Sequence, residues 1–319
     1  MDKPTLSVIL PNYNHSEYVG EALQAILTQS RTPDEVIVVD DGSTDDSVAV
    51  IERAVDKNPV VRLVLNSKNI GAFHCINKAM EMASGEYLYF ASADDTILPG
   101  LFEMSLDMLG RYPEAGFSCC ESETISIPSG AIGKNPRFLS KEPCYLSPRD
   151  LARWTSKRDV PIFGLAGKIV RASALMDAGG IISGLHWHSD GFVSLVMAFR
   201  HGVCYLPAYL IRMREYPDSL GQLGVKNWPA NRKILDLILN LLQTEAYEDV
   251  RDFFKTTPVL AHFGWPIVYA MLSDKRYRQF LSVGLGHEIL WNRLRNMISP
   301  FVPYPIKTIY RRARDRITG

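Results

Sequence analysis

Two adjacent carboxylates, Asp94 and Asp95, follow a short run of strand-forming residues in Glu86–Gly100, EYLYFASADDTILPG. Tyr87, Tyr89 and Ala91 alternate there with Leu88 and Phe90, the pattern of a buried strand. Pro99 and Gly100 then restart the chain, with Pro99 placed to open a helix. A second acidic pair, Asp40 and Asp41, follows the apolar run Val36–Val39 and opens the turn-rich sequence DDGSTDDS. Ions such as Mg²⁺ take one or two protein carboxylates and leave the other positions to phosphate oxygens and water. Acids delivered by buried strands therefore suit a cation bound together with a diphosphate. A plainer reading stands beside this one: both pairs are also good turn and helix-cap residues.

The elements around these acids repeat. Leu6–Leu10 reads as a strand and Ser16–Gln29 as an amphipathic helix; the strand Val36–Val39 and a helix from Ser47 to Asp56 follow. Val61–Leu65 is a third strand, and Ala72, Phe73, Ile76, Ala79, Met80 and Ala83 mark a third helix before the Glu86 strand. Apolar strands alternating with helices imply a parallel sheet covered on both faces, with right-handed crossovers. Every strand then ends in a loop rich in Asp, Asn and Gly, and these loops share one sheet edge, where ligands bind in such folds. The middle is less regular. Leu101–Leu109 and Asp190–Arg200 read as helices, and Gly116–Cys119, Lys168–Val170 and Val203–Leu206 as strands. Residues 126–148, rich in Pro, Gly and Ser, read as loop, and the chain from Asn227 reads as helical after a boundary near Gly221–Lys226.

Composition narrows the classes. The 319 residues are 46% hydrophobic, enough for a large core, and the formal net charge is zero, which offers nothing to nucleic acid. Five scattered cysteines fit a reducing compartment, and the five-residue apolar run near the N-terminus is too short for a signal peptide. The expected location is therefore cytoplasmic. The apolar run Pro258–Leu272, 15 residues broken by His262, Gly264 and Pro266, is too short to span a bilayer. Residues 289–319 carry seven Lys or Arg against Asp315 alone. With Trp291, Phe301 and Tyr310 among them, residues 289–316 suit peripheral contact with an anionic membrane surface, or a solvated helix docked on the body of the protein. Neither G-x-x-x-x-G-K-[ST] nor a G-x-G-x-x-G after the first strand occurs, which removes P-loop and dinucleotide-binding enzymes.

SVILPNYN, VIVVDDGSTDDS, NSKNIGA and GEYLYFASADD, in this order and followed by Pro99, resemble the family 2 glycosyltransferases of GT-A fold. The resemblance is strong over Leu6–Leu109 and weaker to about residue 220. It implies an α/β GT-A catalytic domain over residues 1–225, with a donor-binding half to about 110 and an acceptor half over 111–225. Residues 226–319 form a helical C-terminal extension. It further implies inverting transfer from a nucleotide-diphosphate sugar, by default a UDP-sugar, to a saccharide or lipid-linked acceptor in polysaccharide, lipopolysaccharide or glycoconjugate synthesis. A sugar nucleotidyltransferase and a non-catalytic nucleotide-sugar binder are the competing classes.

Carried over by motif, Pro11 and Tyr13 lie against the base, Asp40 and Asp41 accept from base or ribose, and Asn69 and Gly71 border the nucleotide. The family's Asp-x-Asp reads Ser92-Ala93-Asp94 here, so Asp94 becomes the ligand of a divalent cation, Mn²⁺ or Mg²⁺. Ser92 accepts from ribose or a metal-bound water, and Asp95 stands behind as a structural carboxylate. The family's catalytic base is an acid at a helix start after a Gly-Gly segment; Asp190, after Gly179-Gly180, takes that position. His186, Trp187 and His188 become candidates to line the acceptor pocket, and Arg214 a candidate to approach the diphosphate. Helix capping by Ser189 or Asp190 and ordinary loop packing by His186–His188 are the alternatives.

Overall fold

The computed structural model describes residues 3–127, 129–135, 139–157, 165–216 and 224–298. Its first third follows from the apolar strands. β1 (Leu6–Asn12), β2 (Glu35–Asp40), β3 (Val61–Leu65) and β4 (Tyr87–Phe90) alternate with α1 (Val19–Leu27), α2 (Ser47–Val55) and α3 (Ala72–Met80). They pair in parallel in the order β3-β2-β1-β4. Leu6, Val8, Ile9, Leu10 and Val36–Val39 are fully buried, as strands covered on both faces must be. The chain leaves β1 toward β2 on one side and later returns to β4 on the other. A crevice opens at such a reversal of strand order. The β1–β4 ladder stops at the pair Ile9–Phe90, so Pro11, which has no N–H to offer, lies just past it.

Beyond β4 the sheet is mixed rather than mainly parallel. β9 (Lys168–Arg171) runs antiparallel to β4 and to β6 (Phe117–Ser126), and β10 (Val203–Glu215) is parallel to β6. β5 (Thr96–Ile97) is antiparallel to β10. Because β9 is reversed, it begins level with the end of β4, on the side toward which β6 and β10 also run. The segment 126–148 is not simply loop: β7 (Ile132–Asn135) pairs with β6 and β8 (Cys144–Leu146) with β10, both antiparallel. Ser129 and Gly130 lie between β6 and β7, and Ser140 between β7 and β8; the short strands exist because long neighbours recruit them. β10 also runs on for 13 residues instead of ending at Leu206. Register shifts between Leu206 and Ile211 absorb Pro207, which from sequence reads as a stop.

α4 (Leu101–Arg111), α5 (Pro148–Lys157), α6 (Ala172–Asp177) and α7 (Ser189–His201) complete the layers, and a 3₁₀ segment, Ser183–His188, leads into α7. α7 is apolar nearly all round, with Phe192 to Phe199 buried. It can be so because α5, α6, α9 (Glu248–Thr256) and the 3₁₀ segment Pro258–Phe263 pack against it, while α8 (Trp228–Leu241), α10 (Trp265–Ser273) and α11 (Val283–Ile298) complete the C-terminal helical part. One hydrophobic cluster runs from Ile9 and Phe90 through Phe192 and Val196 to Leu235, Phe254 and Leu285. The boundary expected at Gly221–Lys226 falls partly outside the described residues, as does the basic tail from 299 onward. Among the described residues no helix is long and apolar enough to cross a membrane.

Phe192 is fully buried, with Tyr247 and Phe254 at ring-centroid distances of 5.4 and 6.3 Å. Truncating a buried Phe costs about 3–5 kcal/mol. Phe192→Ala is expected to lower the urea midpoint accordingly while sheet and C-terminal helices still unfold in one transition, read by tryptophan fluorescence and far-ultraviolet circular dichroism together.

Candidate active site

The loops at the sheet edge are built around buried acids. Asp40, at the end of β2, is 1% exposed. Its Oδ1 accepts from the Ser43 backbone N–H at 2.9 Å, and its Oδ2 from Asn12 Nδ2 and Ser43 Oγ, both at 2.7 Å. Asp40 thus ties the end of β1 to the turn after β2, and both of its oxygens are engaged. Asp41, 2% exposed, reaches the other way. Its Oδ1 accepts from Asn66 Nδ2 and the Ile70 N–H, each at 2.9 Å, and its Oδ2 from the Gly71 N–H at 2.8 Å. Burial alone raises a carboxylate's pKa; these donors more than offset it, and Asp41 lies below its ordinary value. Asp41 therefore fixes the loop that carries Asn69 and Gly71. The neighbouring Cys75 thiol is pushed up to about 12, first by burial and then by Asp41 itself. Tyr13 stands exposed beyond these loops, as an aromatic ring available for stacking must.

After β4, Ser92 Oγ donates to Asp94 Oδ1 in a short hydrogen bond, and Ala93 is buried between them. Asp95 faces inward and its Oδ1 accepts from the Arg214 backbone N–H at 2.9 Å. Burial, and then the charge of Asp94, raises the Asp95 pKa to about 7. The Arg214 guanidinium donates to the Asp94 carbonyl oxygen, pairs with Glu21 of α1 at 2.8 Å and lies 4.6 Å above the Tyr18 ring. It clamps the β4 loop to α1 and to the end of β10. Among the described residues no group of three or more His, Cys, Asp or Glu is arranged to hold a metal by itself. Asp94 with the Ser92 hydroxyl is a sparse oxygen donor set. It fits a hard divalent cation only when diphosphate oxygens and water complete the shell, the usual habit of Mg²⁺-like ions.

A second cluster gathers at the start of α7. Asp190 Oδ1 accepts from the Gly191 N–H at 2.7 Å, and the Leu165 N–H also donates to the carboxylate. The side chain keeps some open surface, yet protein surrounds it closely, and burial raises its pKa. Lys168, at the start of β9, opposes that rise. Lys168 is fully buried and donates to Ser194 Oγ at 2.6 Å. His188 Nε2 lies 2.8 Å from Asn231 Oδ1, which also accepts from Trp187 Nε1 at 3.3 Å. Trp187 and His188 are thus seated on α8, while His186, held at a φ of +43°, is exposed. His262, from the Pro258–Phe263 segment, brings its Nε2 corner against Gly191: a Cβ there would fall 2.3 Å from His262 Nε2. Sequence reading missed Glu21, Lys168, Ser194, Asn231 and His262. Only His262 left a trace, as a polar break in an apolar run.

These loops and this helix start can be set beside known proteins. The family model described as glycosyl transferase family 2 matches residues 7–167. The chain belongs to that family. The match covers every loop after β1 to β4 and ends one residue before Lys168, so the α7 cluster lies beyond it. Among curated relatives, the putative teichuronic acid biosynthesis glycosyltransferase TuaG of Bacillus subtilis is 34% identical over 107 residues, 34% of this chain and 42% of the relative. The chain spans 30%, 58% and 65% of the lengths of three other curated relatives it matches. Among solved structures, S. aureus TarS 1–349 in complex with UDP-GlcNAc aligns with a TM-score of 0.58 and 18% identity, over 98% of this chain and 89% of that one. The mannosyltransferase PcManGT from Pyrobaculum calidifontis, in complex with GDP-Man and Mn²⁺, aligns with a TM-score of 0.58 and 17% identity, over 99% and 85% of the two chains. These likenesses are of fold. The family chain described here shares the GT-A architecture, a mixed α/β sheet flanked by helices.

The buried imidazoles give a pH signature. Burial, and then the charges of His188 and Lys168, push His262 down to about 4, and burial lowers His188 as well. An unfolded His titrates near 6.5, so between about pH 6.5 and 4 the unfolded chain binds the extra proton. The stability they contribute is complete above pH 6.5 and is lost as pH falls toward 4. Asp95, raised to about 7, works the other way over the same window. The difference between two proteins therefore isolates the imidazole. As pH falls from about 6.5 toward 4, the wild-type urea midpoint should lose ground to that of His262→Gln, and equal slopes in the two would contradict it.

Proposed function

We propose that this protein transfers a sugar, with inversion, from a nucleotide-diphosphate sugar to an acceptor hydroxyl. The observation that carries the reading is convergence. Loops from β1, β2, β3 and β4 meet at one sheet edge, where β9 also begins, and a closely surrounded carboxylate, Asp190, heads α7. Tyr13 with Pro11 receives the base. The loop that Asp41 fixes borders the ribose and phosphates through Asn69 and Gly71. Asp40 holds β1 and the Ser43 turn in place beneath them. Asp94, with Ser92 beside it, would hold a divalent cation, Mn²⁺ or Mg²⁺, which when bound would supply positive charge against the diphosphate. Asp190 accepts the proton of the acceptor hydroxyl. The acceptor oxygen then bonds to the anomeric carbon as the bond to the diphosphate breaks, and the electron pair leaves on the diphosphate. Arg214 keeps the Asp94 loop seated. His186 and Trp187 border the acceptor side, and His188 anchors them to α8.

What the relatives' names say supports this reading: solved neighbours carry UDP-GlcNAc and GDP-Man with Mn²⁺, and one relative is assigned to teichuronic acid synthesis. We place the acceptor among saccharides or lipid-linked saccharides of polysaccharide or glycoconjugate synthesis. Residues 1–225 form the catalytic unit in this reading, and the helices from 226 onward buttress α7. Peripheral contact with an anionic membrane surface falls to residues 289–316; their side chains from 292 on lie outside the described residues.

The test is a thermal-shift screen of UDP, GDP, dTDP and CMP, each with and without Mn²⁺. A ligand at a hundredfold excess over its dissociation constant stabilises by about 2.7 kcal/mol. One diphosphate should raise the melting temperature only with Mn²⁺, and Asp94→Ala should remove that rise. With the donor so named, Asp190→Asn should still bind it but lose at least about a hundredfold in turnover, the usual weight of general-base catalysis. No Mn²⁺-dependent rise in any sample, or full turnover by Asp190→Asn, would sink the reading.

A further inference from the structure

A lysine with no exposed surface is rare, because burying its charge is costly unless another group answers it. Lys168 is such a residue, and its place follows from the fold. β9 runs opposite to β4, so its first residue, not its last, stands at the ligand edge. The turn before it bends through Gly167 at a φ of +69°, where an added Cβ would meet Ile211 at 2.9 Å. That turn closes through the Lys168 N–H to the Leu165 carbonyl at 3.2 Å, and the Leu165 N–H in turn serves Asp190. The Lys168 ammonium lies 4.6 Å over the Phe117 ring and donates to Ser194 Oγ. Ser194 stands four residues after Asp190 on α7, on the same helix face, one turn along. The ammonium, held at Ser194, therefore stands about one helical turn along α7 from Asp190.

We propose that Lys168 is a positioning residue whose buried ammonium keeps the Asp190 carboxylate ionised and ready to take a proton. The proposal rests on the reading of Asp190 as proton acceptor. Burial drives Asp190 toward its neutral form, which cannot accept a proton; Lys168 is the largest opposing influence, ahead of the two backbone N–H donors and His188. Among the described residues, the titratable or charged groups around Asp190 are Lys168 from β9, His188 from the 3₁₀ segment and His262 from the C-terminal helices. Both imidazoles are shifted toward neutrality, so Lys168 is the standing positive charge of the group. Sugar transfer then depends on a cation that touches neither donor nor acceptor.

The experiment titrates Asp190 directly. The full chain is labelled with ¹³C at aspartate carboxyl groups, and the Asp190 resonance is assigned by its absence from Asp190→Asn. Its midpoint is followed in the wild type, in Lys168→Met and in Lys168→Arg. The midpoint should rise in Lys168→Met and stay near the wild-type value in Lys168→Arg. Lys168→Gln, able to reach Ser194 without charge, replaces Lys168→Met should that variant not fold, and should shift the same way. A wild-type midpoint in the neutral variant overturns the proposal. With the donor named by the screen above, the acid limb of the pH–rate profile should move up in parallel. A midpoint that moves while Asp190→Asn keeps full turnover would leave the ion relationship standing and overturn the base assignment instead.

Discussion

Carboxylates taken out of water must be answered by donors, and this requirement shapes the ligand edge of the molecule. Asp40 and Asp41 are adjacent, both buried, and cannot share donors. Asp40 draws on Asn12 and Ser43; Asp41 draws on Asn66, Ile70 and Gly71. The two acids thus pull the ends of β1 and β3 toward the end of β2. Charged hydrogen bonds are worth about 1.5–3 kcal/mol each, and a buried acceptor left without them costs at least as much. The loops are rigid because the alternative is an unanswered charge. Asp95 after β4 and Asp190 at α7 are less fully answered: the Arg214 N–H serves Asp95, the Gly191 and Leu165 N–H groups serve Asp190 with the Lys168 charge nearby, and burial still raises both.

Legibility from sequence divides along the same line. In the first 110 residues the strands are apolar runs and the loops are dense in Asp, Asn and Gly, so the strands, the helices and the shared edge could all be read, while the strand order could not. Ser92 and Asp94 sit two apart on a turn, and their hydrogen bond follows from that spacing. In the second half the signals mislead. Lys168 opens the strand KIVR, and a lysine there reads as solvent-facing when its environment is unknown. Pro207 reads as the end of a strand that continues past it through shifted register. β7 and β8 are too short to announce themselves and exist through pairing with β6 and β10. Asn231 and His262 lie about forty and seventy residues from the helix start they support, and no local pattern connects them to it.

The C-terminal helices are therefore more than a cover. α7 exposes no polar stripe and could not face water alone. Phe199 stacks on Phe253 with centroids 4.8 Å apart, and His188 meets Phe263 edge-on at 5.3 Å. The same packing that hides α7 brings His262 against Gly191, where any side chain larger than hydrogen would collide. Core formation and placement of the Asp190 surroundings are one event.

The reversed strand β9 also sets a timetable. β4 can pair with β1 once residue 90 has left the ribosome, but its other edge waits for residues 168–171. At ribosomal rates of about 5–20 residues per second, that edge stands open for several seconds on every nascent chain. An unpaired strand buried on both faces invites pairing with other chains. The four residues of β4 offer a short template, and brevity is one way that natural sheets limit such encounters. The topology that brings Lys168 to the ligand edge thus leaves the donor half waiting, during synthesis, for the half that follows it.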